Sequence, residues 1–435
     1  MKAGNYKRLG AFIQQVNVRN KDLKVLNLQG LSMTKEFRKS TSNIVGTDLS
    51  KYKIVQPGQF CCDFMSVIRV HKLPVVLNNL GEDVIISPAY IVFEITDKNS
   101  LLPEYLMMWF RRSEFDRYAD FRCDSSIRGG FQWEELCEVE LPIPPIEEQR
   151  QIVAQYQSIA NKIKVNEQIC EKLEAAAQAL YKHWFVDFEF PVGHCEESGT
   201  NDEAIPALVA EERSLYAAKQ KGYKSSGGKM VWNEELGKEI PDGWEVVKVK
   251  DFCDDMKSGG TPSRDNVSYW NSNDIPWLKT GEISNNVVFD AEEYISKEGY
   301  KNSSARLIPA ESILMAMYGA TAGQLTYLKK ELTTNQACCA MICFEKERSA
   351  FLYYALLNQQ KQIETLAIGG AQPNLSKQII EAINLILPKD LKKISFFKFS
   401  HIIDLKAYKT LENIKLTQLQ SLLLSRLAVG EEVSA

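Results

Sequence analysis

The residues whose types suit metal or redox chemistry are the ten cysteines and four histidines. Two cysteine pairs are adjacent in sequence, Cys61-Cys62 and Cys338-Cys339, and each pair lies inside an apolar run. Structural zinc sites use paired CxxC or Cys/His spacings, and this sequence has no pair of CxxC motifs. Because thiols in apolar runs are typical of buried free cysteines, we predict core thiols rather than a metal site.

Glycine-rich loops offer a second kind of chemistry, because backbone N–H groups brought close to a phosphate can bind it. The segment "GATAGQ" (residues 319–324) fits such a loop or a plain flexible turn, whereas "GGTPSRDN" (residues 259–266) favours a polar surface loop. No GxGxxG, P-loop, HExxH, GxSxG or kinase motif set occurs in the sequence. The sequence therefore predicts no catalytic residue, no metal site and no cofactor site.

Composition narrows the class of protein. A chain of 435 residues with 45% apolar and 25% charged residues is typical of a globular protein of two or more domains. No apolar stretch approaches the ~18 residues of a membrane span, and the first residues carry no signal core, which predicts a cytoplasmic protein without a membrane segment. The net charge of −4 excludes a wholly basic nucleic-acid coat but leaves room for a local basic face.

The elements that would position functional side chains occur twice along the chain. Each half has a strand ending in Phe-Glu before a charged turn and a helix, and then Gly-Gly, a Gln, a short apolar run and a proline. The same order in both halves predicts an internal repeat of two mixed α/β domains. The matching pairs are "IVQPGQF" with "LIPAESI" (54–60, 307–313), the segments 90–115 and 339–363, and the segments 127–145 and 368–390.

A long helix is predicted after the first domain. Pro144 and Pro145 suit a helix start, and Glu147 and Glu148 then lie at the positive end of the helix dipole. From Ile152 to Trp184 apolar residues recur at alternating spacings of about four and three, which is typical of a coiled-coil seam.

A second, weaker seam ends the chain. Its middle is polar, with Lys406, Lys409 and Asn413 where the first helix has Asn166 and Cys170. Polar groups at such positions fix the register of a coiled coil at some expense in stability. We predict that the two helices pair antiparallel with each other. Two independent helices, each packed on its own domain, remain the alternative.

These features define the predicted fold class, which is mixed α/β (α+β) with two similar globular domains and two long antiparallel helices. Residues between the first helix and the second domain are rich in glycine, serine and charge, which indicates a surface linker. The predicted ranges are 1–144 for the first domain, 145–190 for the central helix, 191–238 for the linker, 239–387 for the second domain and 388–435 for the C-terminal helix.

Several phrases together resemble the specificity subunit of type I restriction-modification systems. The resemblance covers essentially the full length, and the helices and the linker carry it most strongly. In the first domain "NVRNKDLKVLNLQGLSMTKEF" takes the place of "IPWLKTGEIS", so that domain matches more loosely. The phrases are, in order, "LPIPPIEEQRQIV", "LYKHWFVDFEFP", "KMVWNEELGKEIPDGWEV", "SGGTPSR", "IPWLKTGEI" and "TNQACCAM".

The resemblance implies a function. Each globular domain would be a target recognition domain that reads one half of a bipartite, asymmetric sequence in double-stranded DNA. The helices would set the gap and dock two methyltransferase subunits, which restriction subunits then join. S-adenosylmethionine, ATP and magnesium would bind those partner subunits, and this chain would be non-catalytic by itself.

Sequence-specific reading needs side chains that reach base edges, with phosphate contacts setting position. In the second domain Lys257, Arg264 and Lys279 are the candidate phosphate contacts. Amide side chains can pair bidentately with adenine. The candidate base or sugar contacts are Thr261, Ser263, Tyr318, Thr321, Gln324, Gln372 and Asn374.

The first domain offers three basic segments as counterparts. The alternative for each residue is a solvated surface side chain, and we expect Trp133 and Trp277 to be core residues rather than base-stacking ones. The candidates are Lys35, Arg38 and Lys39, then Arg69, His71 and Lys72, and finally Arg122, Arg128 and Gln132.

The two domains differ where they should read DNA. "YGATAGQ" is rich in glycine, while its counterpart "FMSVIRVHK" is bulkier, so we predict two different half-sites. A non-catalytic protein-interaction scaffold built on the coiled coil is the alternative function. A stand-alone methyltransferase or nuclease is disfavoured, because the chain has no [DNS]PP[YF] motif and its one Pro-Pro is Pro144-Pro145.

Overall fold

The computed structural model describes residues 6–40, 47–123, 130–191, 222–367, 374–390 and 398–427. The chain divides into two compact units. Unit 1 comprises Met1–Lys164 and Ile414–Ala435, and unit 2 comprises Val165–Asn413. Each of the two long helices contributes one part to each unit.

Unit 1 is built on an antiparallel sheet covered by short helices. Its strands are β1 (Tyr6–Arg8), β2 (Ile13–Val16), β3 (Gln29–Leu31), β4 (Phe37–Lys39), β5 (Lys53–Val55), β6 (Phe60–Cys62), β7 (Val75–Leu77), β8 (Val84–Ile86), β9 (Ile91–Ile95) and β10 (Glu140–Pro142). Its helices are α1 (Val67–Val70), α2 (Pro103–Phe110), α3 (Ser113–Phe121), α4 (Trp133–Cys137) and the first part of α5 (Ile146–Tyr181). The central sheet has the order β2-β9-β6-β7, and β1 pairs with β10, β3 with β4 and β5 with β8.

Unit 2 repeats this plan with more strands. They are β11 (Met230–Asn233), β12 (Lys238–Pro241), β13 (Trp244–Lys248), β14 (Asp255–Ser258), β15 (Ile275–Leu278), β16 (Asn286–Val288), β17 (Glu293–Ile295), β18 (Ile313–Ala316), β19 (Leu325–Leu328), β20 (Thr333–Thr334), β21 (Cys338–Ile342) and β22 (Asn384–Pro388). Its helices are α6 (Val249–Phe252), α7 (Lys297–Lys301), α8 (Lys346–Asn358), α9 (Gln360–Thr365), α10 (Lys377–Glu381) and the first part of α11 (Phe399–Arg426). The main sheet has the order β14-β21-β18-β19-β16, beside a sheet β17-β15-β20.

The two units share one topology, which confirms the predicted internal repeat. The order β2-β9-β6-β7 in unit 1 matches β14-β21-β18-β19 in unit 2, and the pair β1–β10 matches β13–β22. Equivalent backbone hydrogen bonds join the ends of each unit, from Leu9 N to Val139 O at 2.8 Å and from Val249 N to Ile383 O at 2.9 Å. Both units then continue into a long helix.

The strand register corrects two details of the predicted repeat. Phe60 pairs with Phe93, and Ile313, which the sequence aligns with Phe60, pairs with Met341. Met341 is therefore the equivalent of Phe93. Phe344, which the Phe-Glu pattern matched to Phe93, lies beyond the strand with 82% of its surface exposed. The Phe-Glu pattern was misleading because the segments that connect the two paired strands differ in length between the halves.

The second correction concerns the glycine pairs. Phe131 N donates to Phe64 O and Leu375 N donates to Met317 O, so Phe131 and Leu375 are equivalent. Gly130 therefore corresponds to Asn374. The sequence pattern had matched it to the Gly-Gly pair before Asn374, and that pair lies outside the described residues.

The adjacent cysteines are buried in both units. Cys61 and Cys62 point to opposite faces of β6 and belong to two different apolar clusters, as do Cys338 and Cys339 on β21. Strands covered on both faces read as continuous apolar runs, which explains the pairs. Burial raises the pKa of the Cys338 thiol to about 12. All nine described cysteines are free.

Helix α5 begins at Ile146, directly after the two prolines, and ends in a short π-helical turn, Lys182–Val186. In unit 1 its residues Val153 and Tyr156 share an apolar cluster with Leu427, the residue that directly follows α11. The start of one helix thus contacts the end of the other.

In unit 2 the same antiparallel pairing continues. The Asn166 amide donates to Asn413 Oδ1 at 2.8 Å, and Lys406 forms an ion pair with Glu174. Ala177 and Tyr181 share a cluster with Phe399 and Ile403. These contacts confirm the predicted pairing and its polar centre, and they exclude two independent helices.

The range predicted as a linker, 191–238, is partly structured. Residues 192–221 lie outside the described part of the chain, but β11 and β12 form a hairpin from Met230 onwards. Tyr223 stacks on Phe190 at 4.6 Å, and Phe190 stacks on Trp244 at 5.2 Å. A few aromatic residues thus anchor a segment whose average composition is that of a surface connection. No helix among the described residues has the length and apolarity to cross a membrane.

Candidate nucleic-acid interface

Two glycines bring the loop after β14 against the turn before β21. Gly260 N donates to Thr334 O at 2.8 Å, and Trp277 Nε1 donates to Gly260 O at 2.9 Å. A Cβ on Gly259 would lie 2.3 Å from Asn335 O, and one on Gly260 would lie 2.4 Å from the carbonyl carbon of Ser304. Such distances are too short for any side chain, so this approach requires glycine at both positions.

That approach places Thr261 beside a residue that sequence reasoning missed, Gln336. The Thr261 hydroxyl donates to Gln336 Oε1 at 2.5 Å, and Gln336 is exposed. The signal for Gln336 was available in the sequence, because an amide follows a polar turn between two buried strands. Its role could not be assigned without the pairing of that turn to the loop after β14.

Tyr318 and Asn374 join the same edge. They form an isolated antiparallel bridge, and the backbone beside them is closed by hydrogen bonds of 2.8 Å from Met317 N to Ala337 O and from Leu375 N to Met317 O. Tyr318 is 42% exposed, and Asn374 is exposed. We name Thr261, Tyr318, Gln336 and Asn374 the unit 2 edge. It presents two amides and two hydroxyls, the groups that hydrogen-bond to base edges.

The "GATAGQ" segment is a tight turn rather than a phosphate loop. Ala322 N donates to Gly319 O, Gly323 N to Ala316 O and Gln324 N to Thr321 O. These N–H groups are therefore already bonded within the protein. The side chains of Thr321 and Gln324 are half-buried next to the unit 2 edge.

The candidate cations of unit 2 are held by carboxylates. Arg264 Nη1 lies 2.6 Å from Glu293 Oε2, and Lys279 Nζ lies 3.1 Å from both Glu292 and Glu293. Lys257 pairs with Asp255 at 3.1 Å, and Ser263 O accepts a bond from Trp270 Nε1 at 3.0 Å. We name Arg264, Lys279, Glu292 and Glu293 the charge cluster.

The pKa shifts agree with this pairing. Partial burial acts to raise the pKa of Glu293, but the hydrogen bonds from Arg264 and Lys279 outweigh it and lower the pKa. The bonds to Glu292 and Glu293 raise the pKa of Lys279. Both shifts favour the charged forms of Glu293 and Lys279 at neutral pH.

In unit 1 Lys35 does not belong to an exposed face. Its side chain is 5% exposed, its Nζ lies 2.7 Å from Asp116 Oδ1, and it also donates to Phe110 O. Lys35 lies in the turn between β3 and β4 at φ 62°. Lys35 is a structural residue of the turn, and its burial corrects the expectation that it belongs to an exposed DNA-binding face.

Two other basic residues of unit 1 are exposed. Arg38 lies on β4 and Arg69 on α1. Arg38 Nε donates to Leu31 O at 3.1 Å, and Arg69 Nη2 donates to Ser66 Oγ at 3.3 Å. Lys39 and Lys72 are exposed in the same two segments.

The remaining candidates of unit 1 lie nearer to α3 and α4. His71 Nδ1 lies 2.9 Å from Asp120 Oδ1, Arg122 pairs with Glu135, and the exposed Gln132 donates to Gly130 O at 3.3 Å. Arg128 and Gln372 lie outside the described residues. Trp277 is 3% exposed and Trp133 is half-buried against Phe93, so both are core residues as expected.

No group of three His, Cys, Asp or Glu side chains in the described ranges could hold a metal ion. The chemistry that both units offer is hydrogen bonding and charge at the exposed edges of a sheet.

Comparison with known proteins defines the family. A model described as the type I restriction modification DNA specificity domain matches residues 241–417. The HindI specificity subunit of Haemophilus influenzae is 30% identical over 386 residues, which are 82% of this chain and 83% of that protein. The MjaIX specificity subunit of Methanocaldococcus jannaschii is 25% identical over 349 residues, which are 78% and 71% of the two chains.

A solved structure supports the fold. The S subunit of a type I restriction-modification system from M. genitalium aligns with a TM-score of 0.55 at 12% identity, covering 100% of this chain and 98% of that one. Two units of one topology and two paired helices agree with that fold. On the identity and coverage of the Haemophilus relative, this chain belongs to the family of type I restriction enzyme specificity subunits.

Proposed function

We propose that this chain reads a bipartite, asymmetric sequence in double-stranded DNA, one half with each unit. The observation that carries the proposal is that one topology occurs twice with different side chains at the equivalent edge. Tyr318 and Asn374 of unit 2 correspond to Met65 and Gly130 of unit 1, because Met317 and Leu375 correspond to Phe64 and Phe131. A hydroxyl and an amide are thus matched by a thioether and a bare backbone, which suits two different half-sites.

The contacts would divide between bases and phosphates. In unit 2 the unit 2 edge, with Thr321, Gln324 and Ser263 beside it, would face the bases, and Lys257 and Lys279 would lie near phosphates. In unit 1 the pair Arg38 and Arg69, with Lys39 and Lys72, would supply the positive face. The secondary candidates are His71, Arg122, Arg128 and Gln132 in unit 1 and Gln372 in unit 2.

Methylome sequencing of the host with and without this gene tests the proposal. We expect one bipartite methylated motif to disappear with the gene and to return when the gene is restored. Replacing residues 6–142 with the corresponding residues of a relative should change one half of that motif and leave the other half unchanged. A methylome that does not depend on this gene would refute the proposal.

We further propose that the helices dock two methyltransferase subunits, which restriction subunits then join. In unit 2 the exposed apolar residues Leu405 and Tyr408 lie one turn apart on α11, and in unit 1 Leu419 and Leu422 do the same. Exposed apolar residues at that spacing suit a partner helix or sheet. S-adenosylmethionine, ATP and magnesium would bind those subunits, in the cytoplasm where the DNA is.

Co-purification tests the docking proposal. Tyr408→Glu and Leu422→Glu should each reduce the amount of methyltransferase subunit that co-purifies with this chain. Ser421→Glu, an exposed position on another face of α11, is the matched control and should leave it unchanged. Equal recovery for all three variants would contradict the docking surface.

A further inference from the structure

The charge cluster of unit 2 has a carboxylate at its centre. Glu293 is the first residue of β17 and pairs in register with Trp277 of β15. Its Oε2 lies 2.6 Å from Arg264 Nη1, and its Oε1 lies 3.1 Å from Lys279 Nζ. One side chain therefore holds two of the three cations that the sequence offers for phosphate contact in this unit.

Arg264 is fixed from a second direction. Its guanidinium lies 3.5 Å from the centre of the Trp270 ring and 4.9 Å from that of Trp277. Trp270 is itself tied to the loop by its bond to Ser263 O. An arginine that stacks on an aromatic ring and pairs with a carboxylate has little freedom left. About half of the Arg264 side chain, 51%, still faces solvent.

Lys279 is held in a similar way. Glu292 and Glu293 both lie 3.1 Å from its Nζ. Glu282 accepts hydrogen bonds from the backbone N–H groups of Lys279 and Glu292 at 2.8 and 2.9 Å, which keeps these residues together. The charge cluster thus contains two cations and two carboxylates and carries no net charge.

Because the charge cluster carries no net charge, it should add little to the affinity for DNA that lacks the target. Affinity for such DNA comes mainly from cations that neutralise phosphates and release counterions. A cation paired with a carboxylate contributes little, because the phosphate must displace a partner that also repels it. DNA with the target can offset the free energy needed to displace the carboxylate through hydrogen bonds at the unit 2 edge. DNA of other sequences does not form these bonds.

We propose that Glu293 is a specificity-determining residue that withholds Arg264 and Lys279 from the phosphates of DNA lacking the target. It acts through these two cations and is therefore a positioning residue, not a base contact. The inference rests on the proposed DNA-reading function.

The test compares wild type, Glu293→Gln and Glu298→Gln as full chains assembled with the methyltransferase subunits. Glu298 is an exposed glutamate of the same unit and is the matched control. Binding is measured to a duplex with the methylated motif and to one of equal length without it, across a range of salt concentrations. We expect Glu293→Gln to bind the duplex without the motif about tenfold more tightly, with a salt slope steeper by about one to two. The control should match wild type.

Two further measurements separate this role from a structural one. Adding Arg264→Gln and Lys279→Gln to Glu293→Gln should abolish the gain in affinity, and the melting temperature of each variant shows whether unit 2 remains folded. Unchanged or weaker binding of Glu293→Gln to DNA without the motif, in a folded protein, would overturn the inference. A gain that persists without both cations would overturn it too. If wild type itself does not distinguish the two duplexes, the proposed function fails instead.

Discussion

At the scale of single residues, burial decides whether a basic side chain is structural or available to a ligand. Lys35 and Lys39 lie on the same hairpin, yet Lys35 is buried against Asp116 and Lys39 is exposed. Desolvation lowers the pKa of Lys35, and the charge of Asp116 opposes that effect. Removing one partner of a buried ion pair leaves an uncompensated charge, which is more damaging than removing both.

We expect Lys35→Met to lower the free energy of unfolding by about 3 kcal/mol, because Asp116, whose side chain is only 15% exposed, is left without its cation. The matched change Lys39→Met should alter it by less than about 0.5 kcal/mol, as for most exposed positions. Urea denaturation followed by intrinsic fluorescence measures both. If Lys35→Met were as stable as Lys39→Met and bound DNA less well, Lys35 would be a DNA contact after all.

At the scale of elements, the pair of α5 and α11 contains polar groups at the centre of an apolar seam. Asn166 is fully buried, and its amide nitrogen donates to Asn413 Oδ1 at 2.8 Å and to Glu412 Oε2 at 2.9 Å. Its own Oδ1 lacks a partner among the residues that the structure describes. Such a layer lowers stability and specifies one register, because a shifted pairing would bury the amide against apolar side chains.

Asn413→Leu alone should destabilise the protein by about 1–3 kcal/mol, because Asn166 loses a buried partner. The double change Asn166→Leu with Asn413→Leu should recover that loss and make the register less defined. Thermal unfolding tests the first expectation, and the gap of the methylated motif tests the second. A double variant with one unaltered gap would show that other contacts set the register.

A set of ion pairs joins the unit 2 part of α11 to the rest of unit 2. Asp404 pairs with Lys329 at 2.7 Å and with Lys346 at 2.6 Å, and Lys329 also pairs with Glu311 at 2.7 Å. Partial burial acts to raise the pKa of Asp404, but the bonds from the two lysines outweigh it and lower the pKa. A carboxylate whose pKa is lower in the folded state stabilises that state above its ordinary value of 3.8 and loses the effect as the pH falls through the lowered value.

We therefore expect Asp404→Asn to be less stable than wild type at pH 7 by about 1 kcal/mol, a modest figure because this carboxylate is partly solvated. The difference should persist at pH 5 and shrink as the pH falls below the ordinary value of 3.8. Urea denaturation at neutral pH, at pH 5 and at a pH below that value provides the measurement. A difference that does not depend on pH would assign the loss to packing.

At the scale of the whole molecule, the chain consists of one topology used twice and one helix pair that contributes to both units. Under the proposed function, this arrangement would allow the two half-sites and the gap to change independently. The half-sites would depend on the exposed edges of each unit, and the gap would depend on the helices.

Inserting one heptad into both α5 and α11, at facing positions of the seam, should widen the gap of the methylated motif. Seven residues at ~1.5 Å each add about 10 Å, or about three base pairs at ~3.4 Å. Both half-sites should stay the same, and methylome sequencing measures all three quantities. The control is the same insertion in α5 alone, which breaks the pairing and should abolish methylation of the motif.

Sequence by itself determined the features that depend on local periodicity. The seam from Ile152 to Trp184, the helix start after Pro144 and Pro145, and the order of strands and helices in both halves are encoded by residues close together in the chain. Repetition of that order was enough to identify the internal repeat and the family. The predicted alignment of the repeat at Phe344 was wrong, because loop lengths differ between the halves. Residue types alone do not specify which residues of two strands pair.

Only the tertiary structure decided which polar side chains are available. Lys35 meets Asp116 across 81 residues of sequence, Thr261 meets Gln336 across 75, and Arg264 meets Glu293 across 29. Such contacts depend on how strands pair and how loops pack, and neither burial nor a charge partner can be inferred from a residue's neighbours in sequence. For that reason a basic segment predicts a charged surface in general, while its exposed and unpaired members emerge only when the whole sheet is assembled.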